Sequence, residues 1–396
     1  MVSHLAPRPS LEFSVLGPLE MTIDGTPQTL GGSRQRAVLA MLLINRNRAL
    51  SADTIAAAAW DDRPPADTRG NIQVLISHLR KLLKTAQLDA REIIVTTPPG
   101  YRLCTSEPQC DVDRFHARKR QAFDAAAGRR FAEASTHFSH ALQEWRGEVL
   151  DDLHGLRFAD TFATGLEEEK IVTLTARAES ELACGRTAAV ISDLTPLVAS
   201  NPLREPLWAQ LIAALYLAGR QSDALDACRR LRSTLADELG IDPSAPLQEL
   251  EARILRQESL EVQRQASATA AVAMTIIDAH PRAARAQLRD ATGRVFTIDE
   301  GALRIGRMDD NDLTLADGKA SRHHALVVDT GASYLIRDLK SANGTYVAGV
   351  RVFNSAPLSD GDVIRIGDNE FTFERLREAG GIATQSGNSR RSGSGD

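Results

Sequence analysis

Three short clusters in the last quarter of the chain combine residue types suited to gripping a phosphate. They are Arg304-Ile305-Gly306-Arg307, Ser321-Arg322-His323-His324 and Ser341-Ala342-Asn343-Gly344-Thr345. A phosphoryl group near neutral pH carries almost two negative charges and three acceptor oxygens. Arg307 can supply a charge-assisted, bidentate contact. The Ser321 hydroxyl can donate to a second oxygen. Asn343 can offer its side-chain amide to a ligand as donor and acceptor, and Arg322 or Lys340 can add charge at the rim. A plainer role exists for Arg307, an ion pair with Asp309, Asp310 or Asp312. Each cluster alone is a weak signal; their combination on loops between strands is specific.

A second patch lies near the N-terminus. At about 100° per residue, Ile72, Ile76, Leu79 and Leu83 form one apolar stripe of a helix. The opposite face carries Val74, Ser77, His78 and Lys81, with Gln73, Arg80 and Lys84 on the flanks. A helix with an apolar back and a polar, basic front fits the major groove of DNA. The hairpin from Pro98 to Leu103 puts Tyr101 and Arg102 beside it, where a wing would meet phosphates. The alternative is an ordinary amphipathic surface helix.

These patches need scaffolds. In residues 11–105, strands are expected at Leu11–Leu16 and Leu19–Ile23, and Asp24-Gly25 is a hairpin turn signal, because Gly accepts the positive φ of the turn. Helices are expected from Ser33, from Ser51 as an N-cap, and from about Ala66 to Lys84. Strands return at Ile93–Thr97 and Tyr101–Leu103. Residues 111–258 read as all-helical, and Gly185-Arg186 and Gly219-Arg220 lie 34 residues apart. That period suits tetratricopeptide-type helical hairpins, and Gly128-Arg129 opens a similar segment. Residues 259–283 hold few large apolar side chains and read as a linker. Residues 284–376 carry short apolar runs, including Val295–Ile298, Ala325–Val328 and Val363–Ile366, between Gly, Asp and Asn turns, which indicates a β-sandwich. The Gly- and Ser-rich residues 377–396 read as a disordered tail.

The bulk composition is consistent with this. The chain has 396 residues, 43% hydrophobic and 25% charged, which fits several globular domains. No apolar run is long enough to span a bilayer, and the N-terminus lacks a secretory pattern. The four cysteines form neither a CxxC pair nor a zinc-spaced cluster, so reduced thiols in a cytoplasmic protein are expected, with no metal and no cofactor. The net charge of −5 is uneven: residues 1–105 carry twelve Lys/Arg against nine Asp/Glu. That asymmetry favours an N-terminal nucleic-acid module followed by acidic protein-binding modules. GxxxxGK[ST], GxSxG and HExxH patterns are absent, so an enzyme is not expected.

The element order of residues 11–105, with Leu-Arg-Lys-Leu ending the third helix and Pro-Gly-Tyr-Arg-Leu in the hairpin, resembles the OmpR-type winged helix. That resemblance implies DNA contact by Gln73, Ser77, His78, Arg80 and Lys81 and wing contact by Tyr101 and Arg102. Cys110-Asp111-Val112-Asp113-Arg114-Phe115, Glu144-Trp145-Arg146-Gly147, Asn201-Pro202-Leu203-Arg204-Glu205 and Leu239-Gly240-Ile241-Asp242-Pro243 resemble the bacterial transcriptional activation domain of the SARP family, which implies a helical protein-contact scaffold. The three C-terminal clusters resemble the forkhead-associated (FHA) domain. By that resemblance Arg307, Ser321, Arg322 and Asn343 bind phosphothreonine, while Gly306, His324 and Gly344 are structural, His324 as a brace between loops. The fold class expected is thus a multidomain α+β chain of winged helix, helical repeat domain and all-β FHA sandwich.

The order of the three modules resembles the mycobacterial EmbR-type regulators. The resemblance implies double-stranded promoter DNA and a phosphorylated serine/threonine protein kinase as partners, RNA polymerase as a further one, and no membrane. The rival reading is a kinase-binding adaptor with little direct promoter activity.

Overall fold

The computed structural model describes residues 9–60, 67–98, 100–278, 286–298, 302–308, 311–329, 334–353 and 355–376. The tail read at 377–396 lies outside the described residues, as do Asp309, Asp310 and Pro99 of the wing turn.

The chain opens with a three-stranded antiparallel sheet, β1 (Leu11–Ser14), β2 (Glu20–Ile23) and β3 (Thr26–Pro27). Asp24 and Gly25, both at positive φ, make the β2–β3 turn. The first strand ends at Ser14 and not at Leu16, because the amides of Val15 and Leu16 donate to the buried carboxylate of Asp111. Then come α1 (Ser33–Ile44), β4 (Leu50–Ser51), α2 (Ala52–Trp60), α3 (Thr68–Thr85), α4 (Ala90–Ile93), β5 (Ile94–Thr97) and β6 (Gly100–Leu103). The side chain of Asp67 caps α3 by accepting from the Gly70 amide. Strands β4, β6 and β5 form the second sheet, in that order. Gly100 is required there by close approach, since a Cβ would lie 2.3 Å from the Leu50 carbonyl oxygen.

Eight helices follow: α5 (Asp111–Ala127), α6 (Phe131–Leu142), α7 (Arg157–Ala183), α8 (Thr187–Ser200), α9 (Glu205–Leu217), α10 (Gln221–Leu239), α11 (Ala245–Leu255) and α12 (Val262–Asp278). Gly185 and Gly219 stand at positive φ between α7 and α8 and between α9 and α10. In the third such segment the left-handed residue is Arg129, not Gly128.

The structure corrects the linker reading of 259–283. Residues 262–278 are helix α12, packed on α5 and α7. Ala266, Ala270 and Ala273 form its buried stripe, against Phe123, Phe131, Phe138 and Ala176. Small residues at helical spacing allow a close approach to large neighbours, which a count of large apolar side chains does not register.

A second difference concerns the winged helix, read as a unit of its own. One continuous core joins Leu11, Phe13, Leu39, Ile72, Ile76 and Leu79 to Phe115, Val149, Leu150 and Leu166 of the helical domain. The seam is also polar. The Arg146 amide donates to the Leu16 carbonyl at 2.7 Å, and Arg36 pairs with Asp152 through Nε at 2.6 Å.

The C-terminal module is a sandwich of β7 (Ala286–Asp290), β8 (Val295–Thr297), β9 (Ala302–Gly306), β10 (Leu313–Thr314), β11 (Ala325–Asp329), β12 (Tyr334–Asp338), β13 (Thr345–Val347), β14 (Val350–Val352), β15 (Ser355–Leu358), β16 (Val363–Ile366) and β17 (Asn369–Arg375). One sheet has the order β10-β9-β11-β12-β15 and the other β14-β13-β16-β17-β7-β8. Their facing side chains, among them Ile305, Val327, Ile336, Ile364 and Phe373, make the core.

Candidate functional site

The loops after β9, before β11 and after β12 meet at one end of the sandwich. Gly306 lets them close, because a Cβ there would lie 2.3 Å from the Arg322 carbonyl oxygen. The Arg307 amide donates to the Ser321 carbonyl at 2.9 Å, and the Met308 amide to the Arg322 carbonyl at 3.2 Å. Asn311, nine-tenths buried, donates from Nδ2 to the carbonyls of Met308 and Arg322.

Backbone bonds thus hold Arg307 while its side chain stays exposed. Of the acidic partners weighed for it, Asp312 is engaged by Arg304, which reaches its two carboxylate oxygens at 2.9 and 2.8 Å. Asp309 and Asp310 lie outside the described residues.

His324 is fully buried and joins the loops. Its Nδ1 accepts from the Ser321 amide at 3.0 Å, which leaves Nε2–H to donate to the Gly344 carbonyl at 3.2 Å. Gly344 itself stands at φ 77°. Ser321 Oγ accepts from the Ala342 amide at 3.0 Å, so its own proton is available to a ligand. The Asn343 amide nitrogen donates to the Lys319 carbonyl at 2.8 Å, which orients the side chain and leaves Oδ1 as its acceptor. Arg322 is exposed at the rim.

Reading the sequence missed two supports, Asn311 and Asp338. The Asp338 carboxylate accepts from the Ser341 amide at 2.8 Å, the Ser341 hydroxyl at 2.6 Å and the Thr345 hydroxyl at 2.7 Å. An Asp at a strand end can bond backbone amides and hydroxyls a few residues on, and with Ser three residues later that could have marked it.

The His324 ring titrates below its ordinary value of 6.5, because burial disfavours its charged form more than the Gly344 carbonyl, Asp338 and Asp317 favour it. A histidine depressed in the folded state binds fewer protons there than in the unfolded chain. The stability it contributes is therefore complete above pH 6.5 and is lost as the pH falls through the folded value. The melting temperature should fall between about pH 7 and pH 5, and His324→Asn should flatten that slope. Equal slopes in the two proteins would assign the titration to another group.

At the other end of the chain, the buried face of α3 is Ile72, Ile76, Leu79 and Leu83. Gln73, Val74, Ser77, His78, Lys81 and Lys84 are exposed. Arg80 does not join them, which corrects its reading as a groove contact. Its guanidinium donates to the Ile94 carbonyl at 2.6 Å and to Thr96 Oγ1 at 2.8 Å, and it lies over the Tyr101 ring at 5.9 Å. It ties helix to wing, and the Tyr101 ring is half-buried beneath it. Arg102 is half-buried, with its Nε enclosed and unpaired.

Comparison with known proteins places these sites in context. Residues 27–103 match the family described as "Transcriptional regulatory protein, C terminal", residues 110–255 the bacterial transcriptional activator domain, and residues 303–367 the FHA domain. The chain is 51% identical over 369 residues to the transcriptional regulatory protein EmbR of Mycobacterium tuberculosis, covering 92% of this chain and 95% of that one. It is 45% identical over 249 residues to the regulator MoaR1 of the same organism, covering 63% and 80%. It is 34% identical over 254 residues to the regulatory protein DnrI of Streptomyces peucetius, covering 63% and 93%. The solved structure of M. tuberculosis EmbR in complex with a low-affinity phosphopeptide matches with a TM-score of 0.86 and 49% identity, over 94% of this chain and all of that one. No described helix is long and apolar enough to cross a membrane.

Proposed function

The chain belongs to the EmbR-like, SARP-family transcriptional regulators, and from that premise we propose that it couples a phosphothreonine signal to promoter binding. Helix α3 and the β5–β6 wing engage duplex DNA. The loops carrying Arg307, Ser321, Arg322 and Asn343 take a phosphothreonine on a serine/threonine protein kinase or another phosphoprotein. The helical domain supplies contacts to the transcription machinery, RNA polymerase among them, and the chain works in the cytoplasm.

The observation that carries this reading is an exposed Arg307 guanidinium above a loop set braced by His324, Asn311 and Asp338. A cation held ready by backbone bonds, beside a hydroxyl with a free proton, meets the demands of a dianionic, three-oxygen ligand. The solved EmbR relative, which binds a phosphopeptide, supports the same use of the site.

For DNA, the exposed Gln73, Ser77, His78 and Lys81 can reach base edges and phosphates, and Val74 can meet a thymine methyl. Lys81→Ala should lower affinity for the operator and reduce the slope of log K against log salt by about one unit. Arg80→Ala should act differently, by loosening the wing. Protection of the operator measured across a salt series checks this, and an unchanged slope in folded Lys81→Ala would remove Lys81 from the phosphate contacts. A genome-wide footprint taken with and without the phosphorylated partner tests the coupled function. Identical footprints would reduce the protein to a regulator indifferent to its phosphopeptide.

A further inference from the structure

Strand β11 is buried on both faces. Ala325 and Val327 point into the sandwich core, whereas Leu326 and Val328 point outward and are still only 1% exposed. Helix α7 comes against Val328, where a Cβ on Gly165 would lie 3.7 Å from Val328 Cγ1. Glu168 follows Gly165 by three residues, on the same helix face.

Glu168 is 1% exposed and sits in a polar knot between domains. Arg204, the residue preceding α9, donates to both its carboxylate oxygens at 2.8 and 2.6 Å. From the sandwich, Arg337 reaches it at 3.1 Å, and Ser355 accepts from Arg204 at 2.8 Å. Arg337 and Ser355 are cross-strand partners of β12 and β15. The next residue on β12 is Asp338, whose carboxylate holds Ser341 and Thr345 on either side of Asn343.

One strand therefore carries the anchor of the ligand loop and the anchor to the helical domain on adjacent residues. The helix receiving the second anchor runs on into the DNA-binding module, because Ala159 and Leu166 of α7 belong to the core of the winged helix. A buried carboxylate shared by two guanidinium groups admits few intermediate arrangements, since loss of either partner strands a charge.

We infer that Glu168 is a positioning residue that links the phosphopeptide loop to the DNA-binding module through Arg337 and β12. This rests on the phosphopeptide reading above. Ligand that shifts the 339–344 loop moves Asp338 and Arg337 together, and the shift is passed to α7 as a choice between two arrangements of the ion cluster. By linkage, DNA must act back on phosphopeptide affinity by the same factor.

The test uses the full chain and two probes: a degenerate phosphothreonine peptide pool, with its unphosphorylated counterpart as control, and a duplex selected by the wild-type chain from random DNA. Operator affinity is measured with and without saturating peptide. The wild type should change by about fivefold or more on peptide addition. Glu168→Gln, which keeps the shape and loses the charge, should bring that ratio to within about twofold of unity while the peptide still binds. Arg337→Gln serves as the second variant, because it removes the other half of the contact from the sandwich side. A residue with only a structural role would lower the melting temperature of both variants and leave the ratio at the wild-type value. That result, or a wild-type ratio of one despite bound peptide, overturns the inference. Absence of peptide binding in the wild type instead overturns the phosphopeptide reading beneath it.

Discussion

Arg307→Ala should weaken phosphopeptide binding about 10- to 150-fold in a chain that stays folded and keeps its peptide-free DNA affinity. The side chain is exposed, and its loop is held through backbone bonds to Ser321, so truncation removes charge without removing structure. A hydrogen bond to a charged group contributes roughly 1.5–3 kcal/mol against about 1 for a neutral one. The loss is then about 10- to 150-fold in Kd, which takes a micromolar complex to roughly 10–150 μM, a change that calorimetry resolves. Ser321→Ala ranks second, because it deletes a donor to the ligand and also the acceptor of the Ala342 amide. Asn343→Ala should weaken binding severely too, since Lys319 currently orients that amide for the ligand backbone. His324→Ala should act through the melting temperature, by stranding the Ser321 amide and the Gly344 carbonyl. Titration calorimetry with phosphorylated and unphosphorylated threonine peptides decides the matter. Equal affinity for the two peptides, or full binding by the Arg307 variant, would withdraw the phosphothreonine assignment.

Asp111→Ala should be the most damaging single change to stability. The carboxylate is 1% exposed and lies where the first sheet meets the helical domain. It accepts from the Val15 amide at 2.8 Å, the Leu16 amide at 2.9 Å and the Val112 amide at 2.8 Å. Burial pushes its pKa above the usual carboxylate value, and those amides pull against that rise. Alanine leaves the Val15 and Leu16 amides buried without acceptors, at about 1–3 kcal/mol each. For a unit of this size that lowers the melting temperature by roughly 10 °C. Because one core spans the winged helix and the start of the helical domain, both should melt in the same shifted transition. Asp111→Asn should fall between the two, since its amide keeps one acceptor and turns a donor toward other donors. A calorimetric scan in which only a small N-terminal transition moves, or none does, would show that the two modules do not share this seam.

The contact between the sandwich and α7 bears on how the sandwich behaves alone. Residues 284–376 have their own core, so a fragment should fold, yet it would expose Leu326 and Val328 and leave Arg337 without Glu168. Sequence offered a hint here that periodicity alone did not resolve: Ala325–Val328 is apolar at four consecutive positions, the pattern of a strand covered on both faces.

The sequence by itself determined the three modules, their order, the buried stripe of α3 and the residues crowded around Arg307. Each is written in local spacing: a helical period, turn residues between short apolar runs, three polar clusters on neighbouring loops. Only the tertiary structure decided what the modules do to one another. Arg80 looked like a free cation on a helix flank and proved to be spent on the Ile94 carbonyl and Thr96. Residues 262–278 looked like a linker and proved to be a helix seated on α5 and α7 by three alanines. Asp111 and Glu168 were ordinary acidic residues until Val15, Leu16, Arg204 and Arg337 were brought to them from distant parts of the chain. The physical reason is the same in each case. A side chain's type fixes which bonds it can make, but whether its partner is water or a buried amide depends on residues that spacing along the chain does not bring near.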